Sequence, residues 1–196
     1  DFTKNVYPSG LLRVDYGVLG IGGFPGGRLI EIAGTSSSGK TTLCLMVLGE
    51  CIKRGGKGIF IDAESTIADE FSATYMTAFI SDREKLQVYR PNTVEQAFST
   101  IEKAVLGIRE KDGDMPLVVV YDSLVGLPAQ QEMERNYQDS KALGLLAGAF
   151  STCFRKFTPF LGRYNFCCIF TNQLRENPGE RFGDPEYTPG GRAMEY

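Results

Sequence analysis

The segment Gly34-Thr35-Ser36-Ser37-Ser38-Gly39-Lys40-Thr41-Thr42 constrains the fold of this chain more than any other, because it satisfies G-x-x-x-x-G-K-[ST]. The apolar run Arg28 to Ala33 precedes it and the helix-patterned stretch Lys40 to Arg54 follows, so the motif falls where a strand turns into a helix. In that setting successive backbone N–H groups converge on phosphate oxygens, and the helix N-terminus adds positive potential. Gly34, Ser36, Ser37, Ser38, Gly39 and Thr42 line the expected cradle. Lys40 supplies a mobile ammonium for the outer phosphates and Thr41 a hydroxyl for Mg²⁺, which together point to ATP with Mg²⁺.

The rest of the chain is patterned to match. Short continuous apolar runs recur at Gly58 to Ile61, Leu86 to Tyr89, Leu117 to Tyr121 and Phe166 to Thr171, as expected of strands buried on both faces. Segments of helical length lie between them: Ile67 to Ile80, Thr93 to Glu110 and Ala142 to Arg163. This alternation predicts an α/β core, a mostly parallel central sheet with helices on both faces. A length of 196 residues fits one domain over 1–196, with 1–27 as a lead-in. Two polar segments, 127–141 and 174–192, interrupt the pattern directly after strands. Ligands gather at the carboxyl ends of strands in open α/β sheets, so both are expected to flank the nucleotide.

Composition narrows the chemistry. The chain has no histidine, which removes every imidazole mechanism and leaves acid or base work to carboxylates. The five cysteines form no CxxC pair and read as reduced core thiols. A formal charge of −3 announces no global attraction to nucleic acid, so any DNA contact must be local. No apolar run is long enough to span a bilayer, and the expectation is a cytoplasmic chain with no membrane partner.

Three strand tips supply the remaining candidates. Leu117 to Ser123 is an apolar run ending in an acid, Asp122, placed either to hold the metal or to cap a turn. Phe60-Ile61-Asp62-Ala63-Glu64 offers Glu64 as acceptor of a proton from attacking water, or else as a helix-initiating carboxylate, with Asp62 orienting Glu64 or a water. Thr171-Asn172-Gln173 presents Gln173 as a γ-phosphate sensor that passes its position to the following loop, or as a loop amide with local bonds.

In this order, these tips resemble the ATPase core of the RecA-type strand-exchange recombinases, from about Ser9 to the last residue. The pieces that carry the resemblance are GRLIEIAGTSSSGKTTL, FIDAE, VVVYDS, FTNQLR and FGDPEYTPGG. It implies Lys40, Glu64 and Gln173 in catalysis and Phe71 at an adenine-stacking position, with core packing as that ring's alternative. It also implies that 127–141 and 174–192 are DNA-binding loops. Arg135, Arg175, Arg181 and Arg192 would reach phosphates, Tyr137 and Phe182 would meet bases, and Gly190-Gly191 would offer bare N–H groups. Ser151 and Arg155 follow on the next helix, where the family contacts the phosphate backbone. The acids Glu132, Glu134, Asp139, Glu176, Glu180 and Glu186 share these segments, which alone read as solvated mixed-charge faces. Where the family has loop methionines this chain has Ala142 or Leu143 and Glu176, and Gly148 stands in place of an arginine. The resemblance covers a core without the family's flanking segments, as in a core fragment or a minimal phage-type relative.

The implied function is ATP-dependent binding of single-stranded DNA and homologous strand exchange with double-stranded DNA. It would involve DNA-stimulated ATP hydrolysis and self-association into a helical filament, in a bacterial or phage-infected cytoplasm. The alternatives are a RecA-like hexameric helicase or motor, and a nucleotide-switched binding module with no DNA role.

Overall fold

The computed structural model describes residues 5–65, 70–134, 144–176 and 186–187, with the backbone alone at 70–73, 175–176 and 186–187. In chain order the strands are β1 (Val6–Tyr7), β2 (Phe24–Pro25), β3 (Leu29–Gly34), β4 (Lys57–Asp62), β5 (Leu86–Tyr89), β6 (Leu117–Asp122), β7 (Cys167–Gln173), β8 (Arg175–Glu176) and β9 (Glu186–Tyr187). The helices are α1 (Lys40–Lys53), α2 (Glu70–Thr77), α3 (Val94–Asp112), α4 (Gln130–Met133) and α5 (Leu145–Tyr164).

Five strands form the central sheet in the order β3-β7-β6-β4-β5, and every neighbouring pair is parallel. The pattern of apolar runs anticipated all five. Four of them reach further toward their C-terminal ends than the runs suggest, because backbone pairing continues past the last apolar side chain. Ala33 pairs with Asn172, Gly34 with Gln173, and Asp62 with Asp122. The ladder thereby fixes polar residues at the sheet's edge.

The two faces of the sheet are packed differently. On one, Cys44, Leu45, Leu48 and Ile52 of α1 meet Phe60, Val118, Val120, Cys167 and Ile169, with Met76 and Ile80 closing the layer. On the other, Phe98 and Ile101 of α3 and Phe150, Phe154 and Phe157 of α5 meet Ile59, Val119, Tyr121 and Phe170. The second layer is an aromatic cluster: the Phe98 ring lies 5.1 Å from Phe157 and 5.4 Å from Phe154, both edge to face, a favoured geometry. Helices therefore cover both faces.

α3 begins after Thr93, whose hydroxyl accepts from the Gln96 N–H at 3.2 Å. The expected starts of α2 and α5, Ile67 and Ala142, lie outside the described residues. A π-helical turn and α4 are among the elements that the sequence pattern does not predict. The turn, Arg13–Val18, is pinned by buried Asp15, which accepts from the Ser9 N–H and hydroxyl at 2.9 and 2.8 Å. The short α4 lies inside the 127–141 segment, where the Glu132 carboxylate reaches back to the Ala129 N–H at 2.9 Å. β8 and β9 pair antiparallel within the 174–192 segment.

All five cysteines are free, and all but half-buried Cys153 are buried. Burial pushes the Cys51 thiol up to about 12 and the Cys153 thiol up to about 11. Both are inert core groups at neutral pH. Among the described residues no helix is long and apolar enough to cross a membrane.

Candidate nucleotide site

Because all five strands run the same way, Gly34, Asp62, Asp122 and Gln173 emerge along one edge of the sheet. From Gly34 the chain turns through 35–39 into α1. Gly39 is the residue before the helix and adopts φ 90°, a left-handed conformation that a side chain would strain. Lys40 folds over the loop and donates to the carbonyl oxygens of Gly34 at 3.0 Å and Thr35 at 2.7 Å. Both contacts are ones that an ammonium can exchange for phosphate oxygens.

The Thr41 hydroxyl donates to Asp122 Oδ2 at 2.6 Å, and the Thr171 hydroxyl donates to Asp122 Oδ1. Asp122 is buried, and this desolvation raises its carboxyl above the ordinary carboxylate range. The Thr171 and Thr41 hydroxyls pull it back, Glu64 pushes it up, and Lys40 lowers it slightly. The donated hydroxyls favour the charged form against that desolvation, as a cation ligand requires.

Glu64 is exposed just beyond β4. Its Oε1 accepts from the Ser123 hydroxyl and from Gln173 Nε2, the latter at 3.3 Å. Residues from three strand tips thus meet at one carboxylate. Asp62 is paired with a cation: Arg90 Nε, just past β5, donates to its Oδ2 at 3.0 Å. Asn172 turns aside as well, donating to Glu31 Oε1 at 2.7 Å.

Lys40, Thr41, Asp122, Glu64 and Gln173 are therefore brought to one edge, where Thr41 is hydrogen-bonded to Asp122 and Gln173 to Glu64. Ser123, Thr171 and Arg90 hold the carboxylates of Glu64, Asp122 and Asp62 respectively, and the sequence pattern does not assign them. A signal existed only for the first two, which flank singled-out residues in VVVYDS and in Thr171-Asn172-Gln173. Ser151 and Arg155 lie on the exposed side of α5. Phe71 is within α2 and Arg175 within β8, both described by backbone alone. Arg135, Tyr137, Arg181, Phe182, Gly190, Gly191 and Arg192 lie outside the described residues.

Among the described residues no cluster of three acids or thiols forms a metal cage. The donors present, one carboxylate and one threonine hydroxyl, suit Mg²⁺. That ion is held by one or two carboxylates together with substrate phosphates.

The model of the RecA N-terminal domain matches residues 2–196. The chain belongs to the RecA family. It is 39% identical over 191 residues to Protein RecA of Heliobacterium modesticaldum, an alignment covering 97% of this chain and 52% of that one. It is 39% identical over 192 residues to Protein RecA of Francisella tularensis subsp. novicida, covering 98% and 50%. The chain spans about half the length of these RecA relatives. Its parallel five-stranded sheet with helices on both faces is the RecA-like core.

Proposed function

We propose that this chain is the ATPase core of a strand-exchange recombinase, binding single-stranded DNA when Mg-ATP is bound and releasing it on hydrolysis. The observation that carries the reading is the convergence of Lys40, Thr41, Asp122, Glu64 and Gln173 on one sheet edge, in a member of the RecA family. Residues 34–42 would bind the phosphates through backbone N–H groups and Lys40. Thr41 and Asp122 would hold Mg²⁺, which when bound neutralises phosphate charge and polarises the γ-phosphoryl group.

Glu64 would accept a proton from the attacking water, since the chain has no histidine for the task. Ser123 fixes the rotamer of that carboxylate by donating to it. Gln173 donates to the same oxygen, and its amide can instead turn to a phosphate. That exchange would free one Glu64 lone pair and shift the start of the 174–192 segment. The switch therefore pairs two events, release of the base and movement of a DNA-facing loop.

The DNA contacts, double-stranded DNA as exchange partner, and self-association into a filament are parts of the same proposal, supported by the family membership. Ser151 and Arg155, exposed on α5, would meet a phosphate backbone.

The test is ATP turnover by the purified protein with and without single-stranded DNA. Stimulation by DNA, lost at high salt as phosphate contacts are screened, is the expected result. Equal turnover in both conditions would count against the proposal.

A further inference from the structure

Besides Asp122, the phosphate cradle touches a side chain that lies outside both its motif and the strand tips. The Thr42 hydroxyl, in the first turn of α1, lies 2.7 Å from the Tyr75 hydroxyl of α2. α2 docks on α1 at a second point two turns along. There a Cβ added to Gly49 would stand 2.3 Å from the Phe79 carbonyl oxygen, so only glycine lets the two segments approach. Thr42 and Gly49 are seven residues apart and share one face of α1. Tyr75 packs edge to face on Phe79, with ring centroids 5.3 Å apart, and Met76 and Ile80 are buried beneath. The Phe79 ring thus supports the Tyr75 ring from one side, with its hydroxyl at Thr42.

We propose that Tyr75 is a positioning residue of the nucleotide site, donating to Thr42 so that Thr42 donates to a phosphate oxygen. The inference rests on the reading of residues 34–42 as an ATP phosphate site. The direction of the chain follows from hydrogen-bond inventory. A phosphate oxygen at neutral pH only accepts, so Thr42 must use its single O–H toward the phosphate. Its lone pairs remain, and the phenol O–H can fill one of them. The bond to Tyr75 therefore persists when phosphate binds, and each link polarises the next. It also ties α2 to phosphate occupancy, and Phe71 stands one helical turn before Tyr75 on that helix.

The experiment is calorimetric binding of a non-hydrolysable Mg-ATP analogue and of Mg-tripolyphosphate. The proteins are the wild type, Tyr75→Phe, Thr42→Val and the double variant. Tyr75→Phe keeps the ring against Phe79 and removes only the hydroxyl. It is expected to weaken both ligands about three- to tenfold, the size of one net hydrogen bond. In the Thr42→Val background the same change is expected to cost less than about twofold, because its acceptor is gone.

Unchanged or tighter binding by Tyr75→Phe overturns the inference, and so does an undiminished loss in the Thr42→Val background. A loss confined to the ATP analogue also overturns it, by assigning Tyr75 to the nucleoside. A wild-type chain that binds neither ligand overturns the proposed function itself. Failure in Tyr75→Phe alone leaves the proposed function standing.

Discussion

Asp62 and Asp122 occupy equivalent places, yet the structure treats them in opposite ways. They end neighbouring parallel strands, pair directly across the ladder, and are both buried. Asp62 meets a guanidinium, with Arg90 Nε 3.0 Å from its Oδ2. Asp122 is met by two hydroxyls, from Thr41 and Thr171, and among the described residues no cation pairs with it directly. One charge is cancelled within the protein, whereas the other is braced by hydroxyls, as the proposed Mg²⁺ site requires. An acid's position at a strand tip therefore does not define its role. The groups that neutralise it do.

The largest test of this difference is Asp122→Asn, which is expected to reduce Mg²⁺-dependent ATP turnover by at least about 100-fold. The same variant should be no less stable than the wild type in thermal melts with EDTA at pH 7. The sign follows from burial, which raises the Asp122 carboxyl above its ordinary 3.8, so the fold favours the protonated form. This group's contribution to stability is present below that ordinary value and turns into a cost as pH rises through the raised one. Removing the charge removes the cost. A variant that loses stability and turnover together would make Asp122 a structural acid like Asp62.

Glu64→Gln should come next, lowering turnover by about 10²–10⁴ while the ATP analogue still binds, as read by calorimetry. If binding falls with turnover, Glu64 belongs with the supporting groups. Thr171→Val strips one donor from Asp122 and should weaken Mg²⁺ about tenfold in titrations with nucleotide present. An unaltered affinity would remove Thr171 from the set that tunes the site.

Arg90→Met gives the smallest functional effect and sharpens the comparison from the other side. Asp62 is fully buried and Arg90 is half exposed, so the loss should be about 1–3 kcal/mol after allowing for solvent screening. Chemical denaturation measures it, and saturating nucleotide should still bind. A large loss of Mg²⁺ affinity instead would place Asp62 among the metal-holding groups.

Much of this was legible in the sequence because it depends on local pattern. The G-x-x-x-x-G-K-[ST] motif, and each apolar run with the polar residues at its end, is contained in a short stretch of sequence. The network that distinguishes the acids does not. Thr171 reaches Asp122 across 49 residues, Arg90 reaches Asp62 across 28, and Tyr75 reaches Thr42 across 33. Such partners are set by strand order and helix docking, which no short-range spacing encodes. For the same reason the sequence does not reveal the guanidinium partner of Asp62. The order of β4 beside β5 was needed to bring Arg90 to it.

Local signals also fell short where backbone pairing outlasts the apolar run. The apolar run alone ends at Thr171, whereas the expected strand tip Thr171-Asn172-Gln173 is matched by pairing with β3 that carries β7 to Gln173. That extension holds the amide at a strand tip beside Glu64.

A crystal structure with Mg²⁺ and a non-hydrolysable ATP analogue tests the central claim most directly. The account predicts the triphosphate along residues 34–42 and Mg²⁺ about 2.0–2.1 Å from the Thr41 hydroxyl oxygen, with Asp122 bound to it directly or through one water. A metal that sits away from both Thr41 and Asp122, with the triphosphate bound elsewhere, would contradict it.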